Sequence, residues 1–252
     1  MQKFRSIVFT VAMMVTATVY STLVVLAMPL PFRMRSGLGS TWARLQMRML
    51  KWLCGLDYAV EGREHIPAGA AILYCKHQSA WETIALQCVF GPQTWVMKRE
   101  LLWVPIFGWA LGSLRSIAID RGAGRSARDQ VIERGTDRLR DGINVVIFPE
   151  GTRLPPRTEK RFGQGGALLA TASGAPVVPI AHNAGSYWPR RSITKKPGTI
   201  RMMIGPAVDP AGMTAQQLNE LIHDWMRETM AGLEGTNPRT TDNKPILEAP
   251  RQ

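Results

Sequence analysis

The chain contains 252 residues with a formal net charge of +12, and 45% of its residues are hydrophobic. This length suits one sizeable domain with appendages, and the charge requires a polyanionic partner or surface such as nucleic acid, anionic lipid headgroups or an acidic carrier protein. The three cysteines are too few for a disulfide scaffold, and we expect them to be reduced, buried thiols. The four histidines are scattered along the chain without metal-ligand spacing, so we expect no metal.

An uncharged stretch covers residues 6–32, with Lys3 and Arg5 before it and Arg33 and Arg35 after it. About 20 apolar residues suffice for a helix to cross the hydrocarbon core. A cleaved signal peptide is the competing interpretation, but its apolar region would normally span about 7–15 residues. We therefore predict a retained membrane helix, with the larger part of the chain in the cytoplasm because the downstream flank is more basic. A helix lodged in one leaflet is the alternative.

Residues 41–54 have the pattern of an amphipathic helix. Apolar side chains recur at helical spacing while basic ones mark another face: Trp42, Leu45, Met49, Trp52 and Leu53 against Arg44, Arg48 and Lys51. A basic helix with tryptophans suits a membrane interface, and we predict that location. Packing against the core of the domain, with a merely solvated basic face, is the alternative.

Beyond Gly55 short apolar runs alternate with helix-like stretches. The predicted strands cover 58–60, 71–75, 94–97, 116–119, 144–148, 177–181 and 200–204, and the predicted helices cover 81–89, 126–140, 165–173 and 214–233. Such alternation is typical of an α/β fold with a largely parallel central sheet flanked by helices. We predict three parts: a membrane anchor with its interfacial helix at 1–54, the main domain at 55–234, and a disordered tail at 235–252.

His77 and Glu82 lie at a predicted strand-to-helix junction. Positions five apart diverge on a continuous helix, so the two side chains meet only if His77 lies in the loop and Glu82 in the first turn. Glu82 would then orient the imidazole and leave its other nitrogen free to act as a general base. The alternative is a capping box, with Ser79 at the N-cap and Glu82 at N3, in which Glu82 never contacts His77.

A second cluster, Phe-Pro-Glu-Gly-Thr-Arg at 148–153, follows the strand predicted at 144–148. Gly151 permits close backbone approach, Thr152 offers a hydroxyl, and Arg153 offers a fork suited to phosphate. The end of a strand in an open α/β sheet is a common ligand position. A structural turn with an exposed ion pair is the alternative.

Together these blocks resemble the glycerophospholipid acyltransferases, above all the bacterial 1-acyl-glycerol-3-phosphate acyltransferases. Residues 77–82 look like the His-x-x-x-x-Asp block, 112–121 look like the block that ends in a phosphate-binding arginine, and 148–153 match the third block unchanged. Residues 178–180, Val-Pro-Ile, look like the fourth block. The family usually has Asp where this chain has Glu82, and the extra methylene moves the carboxylate by about 1.5 Å.

The resemblance implies a glycerolipid acyltransferase-like fold, with His77 and Glu82 as the catalytic pair. It also implies a phosphate-binding set in which Glu150 orients the cations: Lys98, Arg121, Glu150, Gly151, Thr152 and Arg153. The implied reaction moves an acyl chain from acyl-CoA or acyl carrier protein to the sn-2 hydroxyl of lysophosphatidate, at the cytoplasmic face of the inner membrane. It needs no cofactor, because a thioester is already activated.

Three other functions stay open. The first is an enzyme of the same fold that acylates a different acceptor, either another lysophospholipid or an acylated amino-acid lipid. A lipase-type hydrolase is the second, although the chain lacks the G-x-S-x-G elbow. The third is a non-enzymatic, membrane-anchored binder of lipid; no nucleic-acid motif is present to favour nucleic acid as the partner.

Overall fold

A computed structural model describes residues 1–120 and 122–235. In this part of the chain, seven strands form one sheet: β1 (Leu56–Glu61), β2 (Ile72–Cys75), β3 (Gln93–Lys98), β4 (Ile117–Ile119), β5 (Asn144–Ile147), β6 (Val177–His182) and β7 (Gly198–Ile204). The α-helices are α1 (Gln2–Leu26), α2 (Phe32–Cys54), α3 (Trp81–Val89), α4 (Phe107–Ser113), α5 (Arg125–Arg140), α6 (Gly165–Ser173), α7 (Ala184–Tyr187) and α8 (Ala215–Glu234). Two 3-10 helices cover Arg63–His65 and Arg99–Trp103.

The sheet order is β1-β7-β6-β2-β5-β3-β4. Every pairing is parallel except that of β6 with β7, which is antiparallel. The predicted α/β class with a largely parallel sheet is therefore confirmed, and each of the seven predicted strands is present within one or two residues of its predicted ends.

The central strands β2, β5 and β6 bury side chains on both faces of the sheet. Along β2, Leu73 and Cys75 belong to the core beneath α2 and α3, whereas Ile72 and Tyr74 belong to the core beneath α5, α6 and α8. This follows from the alternation of side chains along a strand. It also explains why the central strands read as continuous apolar runs, since a parallel sheet is covered by helices on both sides.

The apolar stretch at 6–32 forms one helix and a turn. Helix α1 ends at Leu26, and α2 begins at Phe32 directly after Pro31, nine positions before the amphipathic helix was predicted to start. Proline suits the N-terminal boundary of a helix because it fixes φ and its missing N–H costs nothing there. Helix α1 is long and apolar enough to cross a membrane, with a mean hydropathy of 1.9.

Helix α1 also packs against the rest of the molecule. Phe9 is fully buried, and its ring meets Trp188 edge to face at 5.7 Å between centroids. Thr16 Oγ1 accepts hydrogen bonds from Trp42 Nε1 at 3.3 Å and Gln46 Nε2 at 2.9 Å, which join α1 to α2. Helix α2 in turn buries Ala43, Met47 and Leu50 in the domain core, while Trp52 is exposed.

The loop before β7 carries four basic residues, of which Arg190, Arg191 and Lys196 are exposed and Lys195 is buried. Its side chain is buried, its ammonium donates to Thr10 Oγ1 at 2.5 Å, and it lies over the Trp188 ring at 4.7 Å. Its backbone N–H also donates to Ser6 Oγ. Aromatic faces and α1 hydroxyls compensate this charge for its loss of water.

The remaining parts of the chain follow the sequence closely. Helix α8 begins after Thr214, which forms a capping box with Gln217, and ends at Gly235 in the left-handed conformation. Of the disordered tail predicted at 235–252, residues 236–252 lie outside the described part of the chain. All three cysteines are free, with Cys54 and Cys75 buried.

Candidate active site

The candidate site lies where parallel strands end. Strands β2, β5, β3, β4 and β6 run in the same direction, so their carboxyl ends share one edge of the sheet. The residues at or just after these ends are His77, the 148–153 segment, Lys98, Asp120 and His182. In open α/β sheets this edge is the usual ligand position.

Glu82 contacts His77 directly. Its Oε1 lies 2.8 Å from His77 Nδ1 and also accepts the backbone N–H groups of Gln78 at 3.0 Å and Ser79 at 2.9 Å. Helix α3 begins at Trp81, with Ala80 at the N-cap, one residue later than the predicted capping box requires. The two roles that the sequence presented as alternatives are therefore combined, because one carboxylate has enough lone pairs for the imidazole and the loop amides.

The charge of Glu82 is maintained despite complete burial. Burial by itself raises the pKa of this carboxyl, but the hydrogen bond with His77, the proximity of His182 and the Ser79 amide lower it, and the pKa ends below its ordinary value. An ionised carboxylate on Nδ1 fixes the proton on that nitrogen. Among the described residues none hydrogen-bonds Nε2, which leaves it available as a base.

Phe148 fixes the plane of the His77 ring. The two rings stack with centroids 3.9 Å apart and an interplanar angle of 18°. Phe148 follows β5 and so reaches the imidazole from the neighbouring strand. The motif at 148–153 marked this residue, but only the pairing of β2 with β5 reveals that it contacts the base.

His182 is a second buried histidine at the site, and sequence reasoning missed it. Its Nε2 donates to the Lys76 carbonyl at 2.8 Å and lies 3.9 Å from Glu82 Oε2, while its Nδ1 accepts the Ala184 N–H at 3.3 Å. These partners hold a neutral imidazole with its proton on Nε2, and burial lowers the pKa of His182. Its place directly after the Val-Pro-Ile strand was the available signal.

Glu150 forms a buried ion pair with Lys76, and both side chains are almost inaccessible. Its second oxygen, Oε2, accepts the His77 N–H at 3.0 Å. Lys76 also donates to the Thr158 carbonyl at 3.1 Å. The carboxylate thus holds the loop that carries the base, a contact different from the predicted one with the phosphate-binding cations.

The described members of the predicted phosphate-binding set lie at the end of β3 or in the segment directly after β5. Arg153 is half-buried, and its Nε is buried with no hydrogen-bond partner among the described residues. Gly151 has φ +69°, a conformation that favours glycine, and Thr152 lies between these two residues. Lys98 is exposed at the end of β3. Arg121 lies outside the described residues, two positions after the end of β4.

The last turn of α8 also reaches this site. Gln78, the residue after His77, donates from Nε2 to Glu234 Oε1 at 3.0 Å and accepts the Gly185 N–H at 3.2 Å. Glu234 Oε2 in turn accepts the Arg157 N–H at 2.8 Å. The base is thereby connected to α7, to α8 and to the loop after β5.

A family model described as Acyltransferase matches residues 57–183, half of the chain and the part that carries these residues. The chain belongs to the Acyltransferase family. A 1-acyl-sn-glycerol-3-phosphate acyltransferase of Pseudomonas aeruginosa is 41% identical over 251 residues, which cover 98% of each chain. The alpha form of that enzyme in Homo sapiens is 28% identical over 74% of this chain and 67% of its own.

Solved structures bear out the Acyltransferase fold. The crystal structure of the 1-acyl-sn-glycerophosphate acyltransferase of Thermotoga maritima superposes with a TM-score of 0.77 at 23% identity, over 95% of this chain and 100% of that one. In this Acyltransferase the sheet thus brings together His77, Glu82 and the 148–153 segment, as the order of the motifs predicted.

Proposed function

We propose that this Acyltransferase transfers an acyl chain from a thioester to the sn-2 hydroxyl of 1-acyl-glycerol-3-phosphate, giving phosphatidate. The observation that carries the proposal is the His77 imidazole, with Nδ1 bound to a buried carboxylate and Nε2 available. Arg153, in the segment after β5, adds a buried Nε that has no hydrogen-bond partner in the described part of the chain. The name of the Pseudomonas aeruginosa relative supports the same acceptor.

The reaction proceeds without a covalent enzyme intermediate. Nε2 of His77 takes the proton of the acceptor hydroxyl as that oxygen attacks the thioester carbonyl, and Glu82 stabilises the imidazolium that forms. The tetrahedral intermediate then collapses with cleavage of the C–S bond. The leaving thiolate receives the proton from Nε2, which restores the neutral base.

The phosphate of the acceptor positions its hydroxyl. Lys98, Arg121 and Arg153 supply the positive charge, and a bidentate arginine gives the fixed orientation that a near-attack geometry needs. Gly151 and Thr152 contribute the turn that brings Arg153 to the edge of the sheet. We assign Glu150 to holding Lys76 and the His77 amide, since its oxygens already contact both.

The donor is acyl-CoA or acyl carrier protein, and the net charge of +12 suits either of these anionic partners. We further propose that the enzyme works at the cytoplasmic face of the inner membrane, where its acceptor and product reside. The basic residues that follow α1 favour this orientation. No cofactor takes part in the proposed chemistry.

The test is acylation of lysophosphatidate by wild type, His77→Ala and Glu82→Gln. We expect His77→Ala to lower kcat by about 10²–10⁴-fold, the usual contribution of a general base. Glu82→Gln keeps an oxygen for the loop amides but loses the charge, so its kcat falls while its folding is largely retained.

The same assay separates the competing functions. The wild type should acylate lysophosphatidate faster than its phosphate-free analogue, monoacylglycerol. Arg153→Gln should remove most of that difference in rate. Equal rates on both acceptors would favour another lipid acceptor. Release of free fatty acid without any acceptor would favour a hydrolase. Full activity of His77→Ala would contradict the mechanism.

A further inference from the structure

Large apolar side chains project into solvent from the segment between β3 and β4, which includes the start of α4. We call this surface the aromatic ledge; its members are Leu101, Trp103, Val104, Phe107 and Trp109, with Trp103 69% and Trp109 59% exposed. Single exposed apolar residues are ordinary, but five within nine positions of one segment make a contiguous patch of the kind that marks a binding surface.

The backbone holds the ledge in place at the expense of strain. Ile106 adopts φ +64°, a rare conformation for a β-branched residue, and the Gly108 N–H closes the turn on the Val104 carbonyl at 2.7 Å. A Cβ at Gly108 would lie 2.3 Å from the Leu102 carbonyl oxygen, so only glycine allows this close packing. Both the strained backbone and the exposed apolar side chains destabilise the folded protein, so this turn indicates a binding function.

The ledge adjoins the exposed apolar face of α1. On its buried side, α4 packs Ala110 and Leu114 against Val24, near the C-terminal end of α1. The large side chains exposed there, on α1 and the turn after it, are apolar, and the exposed polar residues among them are the two small threonines Thr18 and Thr22: the apolar ones are Val19, Leu23, Leu26, Met28 and Leu30. Arg35 of α2 fixes α4 at its other end by donating to the Ser113 carbonyl at 2.7 Å. The ledge and α1 therefore form one continuous apolar surface.

We propose that the aromatic ledge is a second membrane contact, which inserts into the same leaflet that α1 contacts. Tryptophan suits this position because its ring is amphipathic and accumulates at membrane interfaces. Lipid is favoured over a protein partner because the patch is continuous with a helix apolar enough to lie in a bilayer. The border of the patch carries Lys98, Arg99 and Glu100, and since Arg99 pairs with Asp120 at 3.3 Å, Lys98 is the cation that we expect to meet anionic headgroups.

The ledge also defines where the acceptor enters. Lys98 ends β3 and immediately precedes the 3-10 helix of the ledge, so insertion of Trp103 places Lys98 at the level of the headgroups. A lysophosphatidate in that leaflet then reaches the cation by lateral movement, without leaving the membrane. This part of the inference rests on the proposed function.

Insertion can be measured with a fluorophore attached to a single cysteine in the full-length protein. In a Cys88→Ser background, in which the remaining cysteines are buried, cysteine replaces Trp103 or, as the control, the exposed Gln216 of α8 on the opposite side of the sheet. We expect vesicles of phosphatidylglycerol and phosphatidylethanolamine carrying a nitroxide on the acyl chain to quench the label at 103 and to leave the label at 216 bright. Equal quenching at both positions overturns the proposal. The proposal is also overturned if the label at position 103 is shielded from solvent in the absence of vesicles and the protein sediments as a dimer.

Kinetics distinguish failure of the ledge from failure of the proposed function. The double variant with Trp103→Ser and Trp109→Ser should bind vesicles about tenfold more weakly. It should also show a higher KM for lysophosphatidate presented in vesicles, with kcat unchanged, and ordinary activity on a short-chain, monomeric lysophosphatidate. Unchanged vesicle binding and KM contradict the ledge proposal. If the wild type acylates neither acceptor, the proposed function fails, whereas the quenching result stands by itself.

Discussion

At the scale of single residues, the site depends on carboxylates that each satisfy several groups. Glu82 accepts from the imidazole and from two loop amides, and Glu150 accepts from Lys76 and from the His77 amide. Because both side chains are buried, each donor left unpaired by a substitution would carry its full desolvation cost. The loop that holds the base is therefore rigid before any substrate binds.

His182 gives the site a dependence on pH that is separate from catalysis. Its pKa is lowered by burial, so the folded protein keeps it neutral where an unfolded chain would take up a proton. The stabilisation is complete above the unfolded pKa of about 6.5 and is lost as pH falls toward the folded pKa.

We therefore expect the denaturant midpoint of the wild type to decrease between about pH 7 and 5, and this decrease to be smaller in His182→Gln. The amide of glutamine can still donate to the Lys76 carbonyl. His223→Gln, which makes the same replacement at a half-buried histidine on α8, is the matched control. An unchanged slope in His182→Gln would contradict this role.

The sequence predicted His77, Glu82 and the 148–153 segment, because their order and spacing are local patterns. It did not predict Phe148 or His182 as neighbours of the catalytic pair, since those contacts depend on which strands lie beside β2. It presented helix capping and orientation of the imidazole as alternatives. The geometry of one carboxylate allows both, which no pattern of residue types reveals.

At the scale of elements, α1 belongs to two environments. One face carries Ser6, Thr10 and Thr16, whose hydroxyls accept hydrogen bonds from Lys195 and α2. The opposite face is apolar and exposed. Hydropathy averages over both faces, so the sequence indicated a membrane helix and gave no sign that it is fastened to the loop before β7.

Lys195→Ala should loosen that attachment. We expect a free energy of unfolding lower by about 2–4 kcal/mol in detergent, since a large buried side chain and its contact with two aromatic rings are lost. Lys195→Met should cost less because it refills the space. Thermal unfolding measures the difference, and Lys196→Ala, which alters an exposed neighbour, should leave the midpoint unchanged. Equal midpoints for Lys195→Ala and Lys196→Ala would show that Lys195 does not stabilise the contact between α1 and the loop before β7.

At the scale of the whole molecule, charge and apolar surface act together. We expect the net charge of +12 to attract the chain to anionic lipid over a distance of about 8–10 Å at physiological salt, and the apolar surface of α1 to hold it there. Only the first of these contributions is screened by ions. The two can therefore be separated by ionic strength.

Added salt should weaken binding to vesicles rich in phosphatidylglycerol without abolishing it. With neutral phosphatidylcholine vesicles, binding should be weaker at low salt and nearly independent of salt, because burial of apolar area is not screened. Co-sedimentation of the full chain over a range of ionic strength measures both. Complete release from either vesicle at high salt would show that the apolar surface does not hold the protein.

The strand pairing has a consequence for the order of events during synthesis. β2 leaves the ribosome early, but its partners are β5 and β6, and the hydrogen bond from the His77 amide to Glu150 joins positions 73 residues apart. Contacts between distant positions form slowly, and a nascent chain has only part of itself available. We therefore expect an unfinished polypeptide to present α1 and α2 to a bilayer before the loop that holds the base has formed. Truncated products that lack β5 and β6 should then bind vesicles but show no acyltransferase activity.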